Sequence, residues 1–319
     1  MTTSTSLDRA FVAPAGREER PLDLAGRTVL LATDGSPAAA AATRFAAALA
    51  DRFHAVVHVL SVVDTSSAPI PPPLDVALGM VAAAAGESVH DEQVNAIRRM
   101  ISDVTQRECD WPTRVKLGVP ARAIVREAKR LRADLVILGL QRHGKLERAL
   151  NDETVLTVMR TARCPVIGVA PDTVDLPRRI VVAMDFSAAS VSAARVATSI
   201  ADERASLALT YVQPMLMYPP GDGENVIHEL GVQDGFGSLT KELTRPGLVV
   251  DHIVLPHELS LGTSKLLLEY AEDMGADLIA AGSAEHSRVD RWMIGSVSTD
   301  LVRDGRKSVL IVPPLSGPV

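Results

Sequence analysis

The sequence repeats itself. Residues 28–37 read TVLLATDGSP and residues 179–188 read RIVVAMDFSA. Each is an apolar run that stops at an aspartate, followed after one residue by a serine: Asp34 and Ser36, then Asp185 and Ser187. An alanine-rich stretch follows both. ADLVILGL at 133–140 is echoed by ADLIAAGS at 276–283, and CPVIGVAP at 164–171 by KSVLIVPP at 307–314. A chain built this way is two copies of one supersecondary unit, and self-similarity of this kind decides the architecture before any single residue does.

Within each copy, nearly continuous apolar strands alternate with helical stretches. Such strands suit a parallel sheet covered on both faces. In copy one the strands fall at Thr28–Thr33, Ala55–Val63, Arg114–Leu117, Asp134–Leu138 and Val166–Val169. The helices fall at Pro37–Arg52, Leu74–Arg107, Pro120–Leu131 and Glu153–Thr161. Proline in the first turn favours the helix at 120. Right-handed βαβ crossovers then give a doubly wound sheet. Copy two repeats the order from Arg179 to Val312. Its second crossover, 214–247, is rich in Gly and Pro, so its helix is expected to be short or broken. The organisation is a loose N-terminal tail over 1–26 and α/β domains at 27–171 and 178–314. The connection between them, 171–177, is short, so the two sheets are expected to pack against each other.

Composition narrows the function. The 319 residues carry a net charge of −6 with no basic block, which argues against nonspecific contact with nucleic acid or anionic membrane. Aromatics are 3%, so stacking platforms for single strands are scarce. Two cysteines, Cys109 and Cys164, make no disulfide framework and fit a reducing, cytoplasmic setting. The longest apolar stretch, Val76–Ala85, is too short to span a bilayer, and the first 20 residues lack the apolar core of a signal peptide.

In an open α/β sheet, ligands sit beyond the carboxyl ends of the strands where strand order reverses. Asp34 and Asp185 stand there, each able to accept hydrogen bonds from a ribose hydroxyl or an amine. Taken alone, Asp-x-Ser reads better as a helix cap. Copy two adds Gly282 after its fourth strand, then Gly295, Ser296 and Ser298 at the start of a helix. A helix N-terminus presents free N–H groups and a positive dipole end, which suits phosphate. The three features in this order are more specific than any one.

On these residues both halves resemble the universal stress protein family, and the whole chain resembles a tandem member. The family's nucleotide loop runs Gly, two residues, Gly, nine residues, then Gly with Ser or Thr. Copy two matches it at Gly282, Gly295 and Ser296 and departs at Glu285. The resemblance implies two flavodoxin-like domains, of the adenine nucleotide alpha hydrolase-like type, each with a five-stranded parallel sheet. It also implies an adenine nucleotide such as ATP, alone or with Mg2+. Asp185 and Val212 would meet the base or ribose, and Gly282, Ala284, Gly295, Ser296, Val297 and Ser298 would surround the ribose and phosphates. Glu285 adds a carboxylate near a triphosphate, unfavourable unless a cation neutralises it. His286, Arg288 and Arg291 are the nearby candidates. Copy one, which runs Gly139, Leu140, Gln141, Arg142 and on to Asn151, Asp152, Glu153, has Arg142 and Asp152 where Gly belongs and Glu153 where Ser belongs, two carboxylates at the expected helix start, so it reads as having lost the site. The family also implies pairing through last strands. Here the last strands of the two halves are expected to pair within one chain as a pseudo-dimer, with a homodimer as a further level.

Other signals are weaker. His90-Asp91, His228-Glu229 and His257-Glu258 lack the second histidine of a zinc-protease helix. Cys164 reads as a small buried residue. Neither Gly-x-Gly-x-x-Gly after the first strand nor a Walker A loop is present. The expected function is an adenine-nucleotide-responsive regulatory stress protein with copy two as the binding half. An interaction scaffold that binds no nucleotide is the first alternative. A weak ATP-hydrolysing or nucleotidyl-transferring enzyme, with Glu285 and His286 as its testable groups, is the second.

Overall fold

The computed structural model describes residues 25–36, 39–64, 87–140, 145–213, 222–256, 262–283, 295–304 and 306–314. The first half runs β1 (Thr28–Ala32), α1 (Ala40–Phe53), β2 (Val56–Asp64), α2 (Glu87–Thr105), β3 (Thr113–Gly118), α3 (Pro120–Leu131), β4 (Leu135–Gly139), α4 (Lys145–Thr161) and β5 (Val166–Val169). The second half repeats it: β6 (Arg179–Met184), α5 (Ala188–Ile200), β7 (Ser206–Val212), α6 (Asp222–Leu243), β8 (Val249–Leu255), α7 (Thr263–Asp273), β9 (Leu278–Gly282), α8 (Ser296–Asp304) and β10 (Ser308–Val312). The expected doubly wound α/β architecture is therefore present twice.

The two halves do not stack sheet on sheet. They share one ten-stranded sheet in the order β3-β2-β1-β4-β5-β10-β9-β6-β7-β8. All pairs within a half are parallel, and the seam between β5 and β10 is antiparallel, with Leu310 opposite Ile167. Last strands thus pair inside the chain, as the pseudo-dimer reading expected. The Ser308 hydroxyl fastens the seam: it accepts from the Ala170 N–H at 3.0 Å and lies 2.9 Å from the Thr173 hydroxyl.

Strands buried on both faces need apolar partners above and below, and the alternation of side chains sorts them. Val29, Leu31, Val182 and Leu310 face one layer with α1, α2, α5 and α6. Leu30, Val136, Val181 and Ile311 face the other with α3, α4, α7 and α8. Each layer runs across both halves without a break.

Two helices differ from the sequence expectation. The crossover helix of the second half, α6, is neither short nor broken but continuous over 22 residues despite four glycines. One of them is used. A Cβ on Gly235 would come within 2.8 Å of the Phe186 ring, so the glycine is a notch that receives that ring. The other is α4, which begins at Lys145, about two turns before Glu153. The stretch 145–150, KLERAL, consists of good helix formers and nothing in it breaks the helix. Asn151, Asp152 and Glu153 therefore lie inside a helix and not at its start.

Candidate functional site

In the second half the order of strands reverses between β6 and β9, which are hydrogen-bonded neighbours. Their carboxyl ends form one rim. Asp185 follows β6 there and is exposed. Its Oδ1 accepts the Ser187 N–H at 2.9 Å, and the Ser187 hydroxyl in turn caps α5 by accepting the Ser190 N–H at 3.2 Å. The aspartate-serine pair is thus a turn and a cap, and the second carboxylate oxygen accepts no hydrogen bond among the described residues. Phe186 between them has φ 59°, a left-handed conformation unusual for a bulky residue, and the repeat places Gly35 there in the first half with φ 76°. The Phe186 ring is held by Tyr211 at 5.7 Å and, edge to face, by Phe236 at 5.0 Å between centroids. Burial, and then the nearby Asp185 carboxylate, push the Tyr211 phenol up from its ordinary value.

Gly282 ends β9. A Cβ there would sit 2.5 Å from the Ala189 carbonyl carbon and 2.6 Å from the Ser190 nitrogen. The missing side chain lets the first turn of α5 press against the sheet, a packing reason that the motif reading did not supply. Ser283 follows, 3% exposed, and its hydroxyl has no hydrogen-bond partner among the described residues. A buried polar group left unpaired costs about 1–3 kcal/mol, so it marks a place where an acceptor or donor is wanted. Sequence reasoning missed this residue, because a serine between two motif positions carries no pattern of its own.

The other side of the rim is the start of α8. Thr299 donates to the Gly295 carbonyl at 3.1 Å, so the N–H groups of Ser296, Val297 and Ser298 have no intrahelical acceptor. The buried Ser298 hydroxyl donates to the Gly282 carbonyl at 3.3 Å and holds the helix start to the end of β9. Val212 and Val297, both half-buried, pack against the second core layer. The structure so brings Asp185, Gly282, Ser296, Val297 and Ser298 to one rim, with Val212 at the end of neighbouring β7. Ala284, Glu285, His286, Arg288 and Arg291 lie outside the described residues.

The first half is built differently at the same rim. Asp34 Oδ1 accepts the Ser36 N–H at 2.9 Å, the same turn, but α1 starts at Ala40 with no side-chain cap. Where the second half has Ser283, the first has Leu140, 5% exposed and folded over the bare Cα of Gly168, to which an added Cβ would come within 2.9 Å of Leu140. Apolar packing at Leu140 and a helix begun at Lys145 distinguish this rim from that of the second half. Elsewhere, burial pushes the Cys164 thiol up to about 12, which leaves it protonated and unreactive at neutral pH. Among the described residues no group of His, Cys, Asp and Glu is arranged to hold a metal ion, and no helix is long and apolar enough to cross a membrane.

Comparisons with known proteins agree with this geometry. The model of the universal stress protein family matches residues 26–169 and again 177–313. A universal stress protein of Methanocaldococcus jannaschii is 27% identical over 147 residues, covering 45% of this chain and 81% of its own. A crystal structure of a universal stress protein from Archaeoglobus fulgidus superposes with a TM-score of 0.58 at 18% identity, covering 91% of this chain and 97% of that one. One from Pseudomonas aeruginosa gives 0.55 at 14% identity, over 92% and 95%. With both halves matched in sequence and the fold shared along nearly the whole length, the chain belongs to the universal stress protein family as a tandem member.

Proposed function

We propose that the second domain binds an adenine nucleotide of the ATP type and that the protein is a cytoplasmic stress-response regulator whose state follows that nucleotide. One observation carries the reading. Around a single rim, the second domain offers three N–H groups at a helix start without intrahelical acceptors, the Ser283 hydroxyl, unpaired among the described residues, and the exposed Asp185 carboxylate. That set matches phosphates on one side and a ribose or amine on the other. The first domain has Leu140 and a longer helix in the same place and takes no nucleotide in this reading. Any Mg2+ would arrive as the counterion of the phosphates. Its coordination would fall to them and to Glu285.

Titration calorimetry with ATP and AMP tests it. The wild-type chain should bind one ATP. Asp185→Ala should weaken binding about tenfold or more, since a lost hydrogen bond to a charged group costs about 1.5–3 kcal/mol. Asp34→Ala should leave the dissociation constant unchanged. Two equivalent sites, or an unaltered constant for Asp185→Ala, would overturn the assignment. Comparing ATP with AMP, with and without magnesium, reads whether Glu285 repels the added phosphates or reaches them through a cation.

A further inference from the structure

Because β5 and β10 pair with each other inside the chain, neither can serve as the edge for a second copy. Among the described residues the sheet has two free edges left, β3 at one end and β8 at the other. These two ends are repeats of one another, and their charges are opposite.

The equivalence is read residue by residue. Counting back from the shared Ala-Asp-Leu at 133–135 and 276–278, α3 and α7 align without a gap. Buried Ile124 and Ala128 correspond to Leu267 and Ala271, which are buried as well. Arg132 and Gly275 hold the same left-handed conformation after their helices, with φ 51° and 59°. Asp134 accepts the Thr28 N–H at 3.0 Å, and Asp277 accepts the Arg179 N–H at 2.9 Å. On this frame Arg126, Lys129 and Arg130 of α3 correspond to Glu269, Glu272 and Asp273 of α7, three reversals of sign, and all six side chains are exposed. The edge strands follow suit. Arg114 and Lys116 of β3 lie on the α3 side and pair with Glu127, whereas Asp251 of β8 lies near Tyr270, the residue that corresponds to Glu127.

Geometry makes the two ends fit. Strands of the two halves run antiparallel across the seam, while α3 and α7 lie on the same layer. A neighbour added by repeating that relation sets β3 beside β8, antiparallel, with α3 next to α7 on one face. Exposed apolar side chains sit at the same ends: Leu117 at 50% in β3 and Val119 at 42% just after it, Val249 at 53% on β8. Charge on an edge strand usually repels further strands. Opposite charge on the two edges repels like ends and admits unlike ones.

We propose that copies of this chain associate head to tail, the basic β3–α3 end of one against the acidic β8–α7 end of the next. The contact is heterologous, so it continues into open or ring assemblies and does not close as a simple two-fold dimer.

Sedimentation of the full chain at low and high salt tests the proposal. Screening falls from about 30 Å at 0.01 M to about 3 Å at 1 M, so assemblies larger than the 33.9 kDa chain should form at low salt and dissociate at high salt. Two variants decide the geometry. Arg126→Glu with Lys129→Glu cancels the positive excess of the β3–α3 end, and Glu269→Arg with Asp273→Arg cancels the negative excess of the β8–α7 end. Each alone should associate about tenfold more weakly or worse, and an equimolar mixture of the two should assemble again. A wild type that stays monomeric at low salt would overturn the proposal. So would assemblies that survive either double variant, or two folded variants (checked by circular dichroism) that do not assemble when mixed.

Discussion

Glu127 shows how a charged residue can be both buried and secure. It is 1% exposed, and burial alone would push its carboxyl up. Hydrogen bonds from Arg130 and Lys116, at 2.6 Å each, outweigh burial and hold it at about 2, below the model-peptide value of 4.5. A carboxyl whose folded value is depressed stabilises the fold above its unfolded value and loses that contribution as pH falls toward the folded one. Its partners are largely exposed, which reduces the gain. Glu127→Gln should therefore cost about 1–2 kcal/mol at neutral pH, and the gap to wild type should close as pH drops from about 4.5 toward about 2. Urea unfolding of both proteins across that range would show it, and a gap independent of pH would mean the carboxylate charge contributes nothing.

At the scale of elements, the two helices that escaped sequence reasoning did so for different reasons. Four glycines in 222–243 argue locally against a long helix, each by about 1 kcal/mol against alanine. Tertiary packing overrides them, and the Phe186 ring in the Gly235 notch is part of that packing. The pair Gly235 and Gly237 separates the two effects. Gly237→Ala meets nothing within 4 Å and should stabilise the protein by about 0.5–1 kcal/mol. Gly235→Ala should destabilise it by about 1–3 kcal/mol through collision with the ring. Thermal unfolding of the two variants gives the signs directly. The start of α4 was hidden otherwise: the family's loop spacing pointed to Glu153, while plain helix propensity over 145–150 pointed to the observed start. Strands were far more legible, because parallel strands covered on both faces are written as unbroken apolar runs. Val166–Val169 appears with the expected bounds. At the rim, Asp185, Gly282 and Ser296 were readable from their order. The Ser283 hydroxyl, unpaired among the described residues, was not, since only burial distinguishes it from any other serine.

For the whole molecule, the continuous sheet matters more than the domain count. Both core layers draw side chains from both halves, so neither half owns a separate core. A single cooperative unfolding transition is expected in calorimetry. Phe45→Ala, in the first half and 2% exposed, should cost about 3–5 kcal/mol and move that one transition as a unit. Two separable transitions, with only one shifted, would show that the halves unfold independently. The seam has one more consequence. In a dimer of identical chains every substitution is expressed twice, once on each side of the axis, so whatever one side gains the other must also accept. Joining the sides covalently lifts that obligation. A buried Leu140 can stand where its counterpart is Ser283, and a helix can turn basic at one end while its counterpart turns acidic. The antiparallel junction of β5 and β10 preserves the shape of a symmetric pair and releases its sequence from symmetry.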